Sequence, residues 1–227
     1  MLDSSLYFGL SITLIAYFIG VFINKKTKIS LCNPLLISIV IVIIVLLLLD
    51  IPYDVYNQSA KYISYLLTPA TVALAIPLYQ QVHLLKSHFK AIIIGISAGV
   101  LSSLSSVLAL AYLFHFSHKE YVTFLPKSIT TAIGMGVVDE LGGYVSIAVT
   151  AIIITGILGN IFAEMILKLF RIHHPVAKGI GIGCASHAIG TTKAMEIGEI
   201  EGAMSSLAIV VSGLITVVGA SIFAMFL

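Results

Sequence analysis

Charge is the scarcest property of this 227-residue sequence, in which 10% of the residues are charged and 59% are hydrophobic. A soluble domain has about a quarter of its residues charged. The composition therefore excludes a soluble globular protein and indicates an all-α polytopic membrane protein. We expect one integral membrane domain over residues 1–227.

Cysteines and enzyme motifs are also scarce. Cys32 and Cys184 form neither a metal-ligand spacing nor a disulfide framework. The sequence has no HExxH, no GxSxG and no phosphate-binding glycine loop. Ser186 beside His187 is not a catalytic pair, because neighbours on a helix point in different directions. We therefore expect no enzyme, catalytic residue, metal, cofactor or nucleic-acid partner.

Long apolar runs are what the sequence has instead, and a span needs about 20 such residues. The runs are Leu6–Ile23, Pro34–Leu49, Tyr62–Val82, Ala91–Phe114, Tyr144–Leu169 and Gly202–Leu227. Two further stretches, Phe124–Val138 and Lys178–Met195, are shorter and more polar. Together these segments predict about seven or eight transmembrane segments, some of them broken or re-entrant.

Loop charges set the orientation, because cytoplasmic loops carry an excess of lysine and arginine. Lysines follow the first run and also lie at Lys86 and Lys90, so both loops are predicted to be cytoplasmic. The loop with Lys168, Arg171 and Lys178 is cytoplasmic as well if Phe124–Val138 enters and leaves by one side. We favour this re-entrant interpretation, with about seven crossings and a cytoplasmic C-terminus; the alternative is about eight crossings with one discontinuous span.

Transporters are often built from inverted repeats, and two weak internal matches suggest one here. An offset of sixty residues pairs Gly99 with Gly159, and a larger offset pairs residues 70–74 with 185–189. The larger offset predicts an inverted repeat with halves at about 30–116 and 145–227.

Polar groups inside hydrocarbon are costly, so the polar stretches Leu125–Met135 and Gly183–Lys193 are the predicted functional regions. Pro126 suits the first turn of a helix, whose free N–H groups, together with Lys127, would attract a carboxylate. Alternatively Lys127 extends to the head groups and the hydroxyls bond their own helix. His187 could carry a coupling proton, or serve as a structural hydrogen bonder.

The predicted site residues form two sets. The substrate-binding residues are expected to be Lys127, Ser128, Thr130, Thr131, Ser186, His187, Thr191 and Lys193. The candidates for proton coupling or for support of the site are Asp139, Glu140, Glu196, Thr71, Tyr79 and Asn160.

Two segments, Leu125–Ile133 and Gly183–Thr191, resemble motifs of the LrgB/CidB family of bacterial membrane proteins. The resemblance extends from about Pro34 to the end of the chain, through Pro69–Tyr79, Leu141–Gly143, Thr155–Gly159 and Glu201–Leu207. Family members commonly carry Pro where Ala132 stands and Glu near Gly136, so any role of those side chains is absent here.

The resemblance implies a multi-pass protein of the bacterial inner (cytoplasmic) membrane, embedded in the lipid bilayer, with two accounts of its function. One is transport of a small carboxylate such as pyruvate, glycolate or glycerate, by alternating access and with proton coupling as an option. The other is regulation of murein hydrolase activity and cell lysis with a small LrgA/CidA-like holin partner, without transport. Lysines, hydroxyls and a helix N-terminus suit a small hydroxy- or keto-acid, so we favour transport, by a homo-oligomer expected to be a dimer.

Overall fold

The computed structural model describes residues 7–27, 32–66, 69, 72–73 and 75–227. These residues form α-helices joined by short loops, with no β-strand among them, as the composition predicts. The chain divides into two compact units, Met1–Ala73 and Leu74–Leu227. Thr71 lies outside the described residues. The predicted repeat half 30–116 extends across the boundary between the units, and the repeat halves stay a prediction.

The first unit is a small helical cluster. Asn33 caps its second helix by accepting hydrogen bonds from the N–H groups of the first turn, the shorter at 2.8 Å. The first and third helices approach closely because Gly9 has no side chain: its N–H donates to Ser59 Oγ at 2.7 Å, and a Cβ there would collide with the Tyr56 carbonyl. The helices are α1 (Phe8–Thr27), α2 (Pro34–Leu48) and α3 (Tyr53–Ser64).

The second unit carries both predicted functional regions. Its helices are α4 (Ala75–Gln80), α5 (Val82–Ser87), α6 (Phe89–Leu113), α7 (His118–Phe124), α8 (Thr131–Glu140), α9 (Val145–Leu169), α10 (Pro175–Ile197) and α11 (Glu199–Phe223), followed by a 3₁₀ turn at Ala224–Phe226.

Four helices of the chain, one in the first unit and three in the second, end in the same way. The residues Asp50, His115, Arg171 and Gly142 follow the last turns of α2, α6, α9 and α8, each with a positive φ between 50° and 74°. In each case the next N–H bonds back to a carbonyl five residues earlier, as in Phe116 N–H to Ala111 O at 2.9 Å. This Schellman ending stops a helix and turns the chain sharply. It lets long apolar helices end without exposing unpaired carbonyls.

Four helices in the described part of the chain are long and apolar enough to cross a membrane. They are Phe8–Thr27, Phe89–Leu113, Val145–Leu169 and Glu199–Phe226, and each overlaps a predicted span. α2 is apolar but only 15 residues long. The total of about seven or eight transmembrane segments stays a prediction.

The two ends of the second unit carry different aromatic side chains. At one end the rings of His88 and His174, just before α6 and α10, have centroids 5.9 Å apart. At the other end the hydroxyls of Tyr112 and Tyr121 donate to carbonyls at the end of the chain, at 2.6 and 2.9 Å. We call these the histidine end and the tyrosine end. α6 and α11 both run from the histidine end to the tyrosine end.

Residues 118–144 leave the tyrosine end and return to it. The N–H of Tyr144, at the start of α9, donates to Thr123 Oγ1 at 2.8 Å. The Lys119 ammonium lies 4.4 Å from the centre of the Tyr144 ring. α7, the unwound residues 125–130 and α8 therefore form a re-entrant hairpin, here called the first hairpin. This is the re-entrant arrangement favoured on charge grounds.

α10 is also a hairpin, although Lys178–Met195 was expected to cross. A Cβ on Gly183 would lie 2.5 Å from the Ser205 carbonyl oxygen, and Thr191 Oγ1 lies 2.7 Å from Ser205 Oγ. In a straight helix residues 183 and 191 would be about 12 Å apart. Both reach Ser205 because the chain reverses between them. The second arm returns to the histidine end, where Lys193 meets Glu164 near the end of α9.

The reversal in α10, here called the second hairpin, changes the direction of the last helix. α11 ends at the tyrosine end, whereas the loop with Lys168 and Arg171 lies at the histidine end with His174. The predicted cytoplasmic C-terminus is therefore wrong if that basic loop is cytoplasmic, because the two lie at opposite ends. The sequence missed this because a re-entrant pair of short helices has the same length and hydropathy as one broken span.

The two hairpins enter the unit from opposite ends. α6 followed by the first hairpin runs in one direction, and α9 followed by the second hairpin runs in the other. Two glycines sixty residues apart, Gly99 and Gly159, lie at mid-helix in α6 and α9. Both face the second hairpin, at Cys184 and Ser186 respectively. The internal repeat and its halves stay a prediction.

The fold predicts where impermeant reagents will reach the chain. In a background without Cys32 and Cys184, His173→Cys and His83→Cys should both resist an impermeant thiol reagent applied to intact cells, because both positions lie in basic segments near the histidine end. His118→Cys, at the tyrosine end, should react. Labelling at position 173 from outside would contradict the orientation, and protection at both 118 and 173 would contradict the re-entrant path.

Candidate functional site

The reversal of the second hairpin depends on two residues with non-helical backbone. Ser186 has φ −137° and ψ 18°, and His187 has φ 41° and ψ −139°. A positive φ is uncommon for a residue with a side chain and costs about 1–3 kcal/mol. His187 is 3% exposed, and its Nε2–H donates to the Ile152 carbonyl of α9 at 3.0 Å. This buried hydrogen bond holds the strained residue in place.

Glycines on α9 make room for this reversal. A Cβ on Gly156 would lie 2.7 Å from the His187 ring, and a Cβ on Gly159 would collide with the Ser186 side chain. A Cβ on Gly190 would strike Ser186 as well. The glycines are needed at these positions because the apex of the hairpin presses directly on the helix backbone.

Hydroxyl groups satisfy the polar backbone around the apex. Ser186 Oγ donates to the Ile182 carbonyl at 2.9 Å, and Thr191 Oγ1 can donate to the His187 carbonyl at 2.9 Å. The Thr191 and Ser205 hydroxyl oxygens also lie 2.7 Å apart and form a hydrogen bond. In a bilayer, backbone groups freed from a helix need partners of this kind. The polar pattern of the second stretch is therefore explained largely by structural hydrogen bonds.

The first hairpin brings a lysine to the interior of the unit. Lys127 lies in the unwound segment and donates through Nζ to Ser128 Oγ at 3.3 Å. Ser128 is 8% exposed, and its hydroxyl lies 2.9 Å from that of Ser103 on α6. Thr130 is the N-cap residue of α8 but makes no side-chain capping bond, and Thr131 begins that helix.

The two predicted stretches meet at a cavity of about 330 Å³, here called the central cavity. Its volume falls at the lower end of the range of about 300–1,000 Å³ that is typical of small-molecule sites. Lys127 is the only charged side chain among its described lining residues. The lining residues are Gly95, Gly99, Ser102, Ser103, Ser106, Lys127, Ser128, Ile180, Gly181, Cys184 and Ala185.

The remaining predicted substrate-binding residues lie elsewhere. Ser186, His187 and Thr191 are buried and make the hydrogen bonds described above. They do not line the central cavity. Thr130 and Thr131 are half-buried beside the first apex, outside the set of lining residues. These positions support the hairpins that carry the cavity walls.

Lys193 belongs to an ion-pair cluster near the histidine end. Its Nζ lies 2.8 Å from Glu164 Oε1 and 3.1 Å from Glu196 Oε2. Lys168 reaches the same Glu164 at 3.5 Å. The cluster ties the second arm of the hairpin to the end of α9. Lys193 is therefore positioned to hold the arm, at a distance from the central cavity.

The candidates for coupling or support are dispersed. Asn160 donates to the Ile189 carbonyl at 2.9 Å and so joins α9 to the second arm. Asp139 and Glu140 are exposed at the end of α8, and Glu196 is exposed beside Lys193. Tyr79 is 81% exposed on α4. Among the described residues, no three His, Cys, Asp or Glu side chains lie together as metal ligands.

The serines of α6 were not predicted as site residues from the sequence. Ser102, Ser103 and Ser106 contribute hydroxyl groups to the central cavity. A run of four serines within an apolar span, at 102–103 and 105–106, was a usable signal, because polar groups in a span are costly and face protein or water. The ion pair between half-buried Lys178 and buried Glu201, 3.6 Å apart, was also missed.

Comparisons with known proteins identify relatives over almost the whole length. The sequence matches the LrgB-like family over residues 13–226. It is 37% identical over 222 residues to an antiholin-like protein LrgB from Bacillus cereus (strain B4264), covering 97% of this chain and 96% of that protein. The same values hold for an antiholin-like protein LrgB from Bacillus anthracis (strain CDC 684 / NRRL 3495). No solved structure matches.

The packing at the second apex predicts a sharp difference between two glycines. Gly159→Ala should destabilise the protein by about 1–3 kcal/mol, because the added methyl group overlaps Ser186. Gly136→Ala is the matched control, since a Cβ there meets nothing within 4 Å. It should leave stability unchanged or raise it by up to about 1 kcal/mol. Thermal melting of the purified proteins in detergent measures both; equal melting temperatures would contradict the packing at the apex.

Proposed function

The chain belongs to the LrgB-like family, and we propose that it carries small monocarboxylates, such as pyruvate, glycolate or glycerate, across a membrane. The observation that supports this most directly is the central cavity between α6, the first hairpin and the second hairpin. One lysine and several hydroxyls converge there, in the part of the molecule that spans the membrane.

The chemistry of the cavity fits a small anion. The Lys127 ammonium offers a full positive charge, and Ser103 and Ser128 already lie within hydrogen-bond distance of one another. A carboxylate would accept from the ammonium and from these hydroxyls, and charged hydrogen bonds are the strong ones. No Asp or Glu is among the described lining residues, so no fixed negative charge in the lining opposes the anion.

The hairpins supply a means of alternating access. Both reach the interior with broken backbone, and the apex of the second hairpin packs against glycines of α9. Discontinuous helices that meet at the midplane are the usual seat of substrate in transporters. We propose that small movements of the hairpins open the cavity to each side in turn. Location in the bacterial cytoplasmic membrane and a homodimeric assembly belong to the same proposal.

Removal of the lysine charge tests the site directly. Lys127→Met should raise the half-saturation concentration for radiolabelled pyruvate or glycolate in proteoliposomes by roughly ten- to a hundredfold, because a charged hydrogen bond contributes about 1.5–3 kcal/mol. Lys168→Met is the matched control, since Lys168 is exposed and makes only a surface ion pair. Unchanged uptake in the Lys127 variant would contradict the proposed site.

A second candidate function is regulation of a holin-like partner, with effects on murein hydrolase activity and cell lysis. The observation that favours it is the name of two relatives, antiholin-like protein LrgB. The comparisons support this candidate better than they support any transported substrate. The geometry of the cavity favours transport.

One variant separates the two candidates. If regulation is independent of the cavity, Lys127→Met should still alter lysis of cells that express a holin-like partner, while its carboxylate uptake falls. Autolysis rates of cells and uptake by proteoliposomes, with and without the partner, measure the two activities. Absence of uptake under every condition, combined with a lysis effect, would leave regulation as the function.

A further inference from the structure

A second cavity adjoins the central cavity. It measures about 450 Å³ and is here called the vestibule. It shares three wall residues, Gly95, Ile180 and Gly181, with the central cavity. Its lining residues are His88, Ala91, Gly95, His174, Val176, Ala177, Ile180 and Gly181.

The vestibule leads to the histidine end. His88 and His174 precede α6 and the first arm of α10, and both are exposed. The shared residues lie about two helical turns further in, where α6 and α10 face each other. The two cavities together therefore extend from the surface at the histidine end to Lys127.

The opposite direction is closed by packed side chains. Beyond Ser106, α6 buries Val107 and Ala111 in one hydrophobic cluster with Tyr121 and Leu125 of the first hairpin. Each of these four residues is at most 3% exposed. Densely packed apolar side chains exclude water and anions. These packed side chains separate the central cavity from the tyrosine end.

Two glycines leave the passage between the cavities clear. A Cβ on Gly181 would meet nothing within 4 Å, and a Cβ on Gly95 would meet only Ile180 Cγ2, at 3.8 Å. Both glycines lie inside helices, so side chains could be added without backbone strain. Both glycines line both cavities, so a larger side chain at either position would reduce the space through which the cavities join.

We propose that the vestibule is the route between the central cavity and the histidine end, and that Gly95 and Gly181 limit the size of the anion that passes. This rests on the proposed transport function. The route is polar at its mouth and at Lys127, and mostly apolar between them. It suits a short carboxylate with a small organic group and excludes one with a bulky side chain.

Thiol accessibility tests the route without requiring transport. In a Cys32→Ser, Cys184→Ser background, Ser102→Cys places a thiol in the central cavity. A negatively charged, impermeant methanethiosulfonate applied to the histidine end, in membrane vesicles of defined orientation, should modify position 102. Adding Gly181→Leu should slow this reaction at least tenfold, and Gly95→Leu, on the facing helix, should do the same.

The controls separate blockage from misfolding. Gly136→Leu also adds a side chain where a Cβ meets nothing within 4 Å, but on α8 outside both cavities, and it should leave the rate unchanged. Small, uncharged, permeant methyl methanethiosulfonate should react at position 102 in every variant. If Gly181→Leu fails to fold, Gly95→Leu carries the test.

The possible results separate the route from the transport function. Equal rates with the charged reagent in the parent and in both leucine variants would overturn the proposed route, as would reaction from the tyrosine end alone. Slowing by the leucine variants, in a protein that takes up no carboxylate, would uphold the route and refute the substrate.

Discussion

The second unit depends on one constraint: inside a bilayer every backbone polar group needs a partner within the protein. Two re-entrant hairpins make this constraint hard to meet, because residues 125–130 and 186–187 leave the helical hydrogen-bond pattern in the interior. The structure meets the constraint with short side chains. Hydroxyls of serine and threonine and the ring of His187 bond to nearby carbonyls, and no buried side-chain nitrogen or oxygen in the described part of the chain lacks a partner.

Small residues make that solution possible. Glycines on α9 and α10 let the second apex lie directly against neighbouring backbone, at distances that a methyl group would prevent. Packing of small residues is the usual way for helices to associate in lipid, where the hydrophobic effect does not hold them together. Other glycines, Gly95 and Gly99 on α6 and Gly181 on α10, line the central cavity. The fold and the candidate site therefore both depend on small residues.

The sequence predicts the helical membrane fold, the two polar stretches and the re-entrant path of the first hairpin, because length, hydropathy and loop charge carry that information. It does not reveal that Lys178–Met195 turns back, since both arms together are as long as a span. It also does not reveal the partners of His187 and Lys193. Their chemistry suits a substrate, but the structure places one in a backbone hydrogen bond and the other in ion pairs. Partners distant in sequence, such as Ile152 and Glu164, decided those roles.

The seal at the tyrosine end has an electrical consequence. Water in the vestibule and central cavity would conduct ions, so most of a membrane voltage would fall across the thin packed layer around Tyr121 and Leu125, and little across the rest of the unit. Moving one elementary charge through 100 mV changes its energy by about 2.3 kcal/mol. In the proposed transport, an anion beside Lys127 would therefore sit near the potential of the solution at the histidine end, and would meet nearly the whole field in the step past the seal.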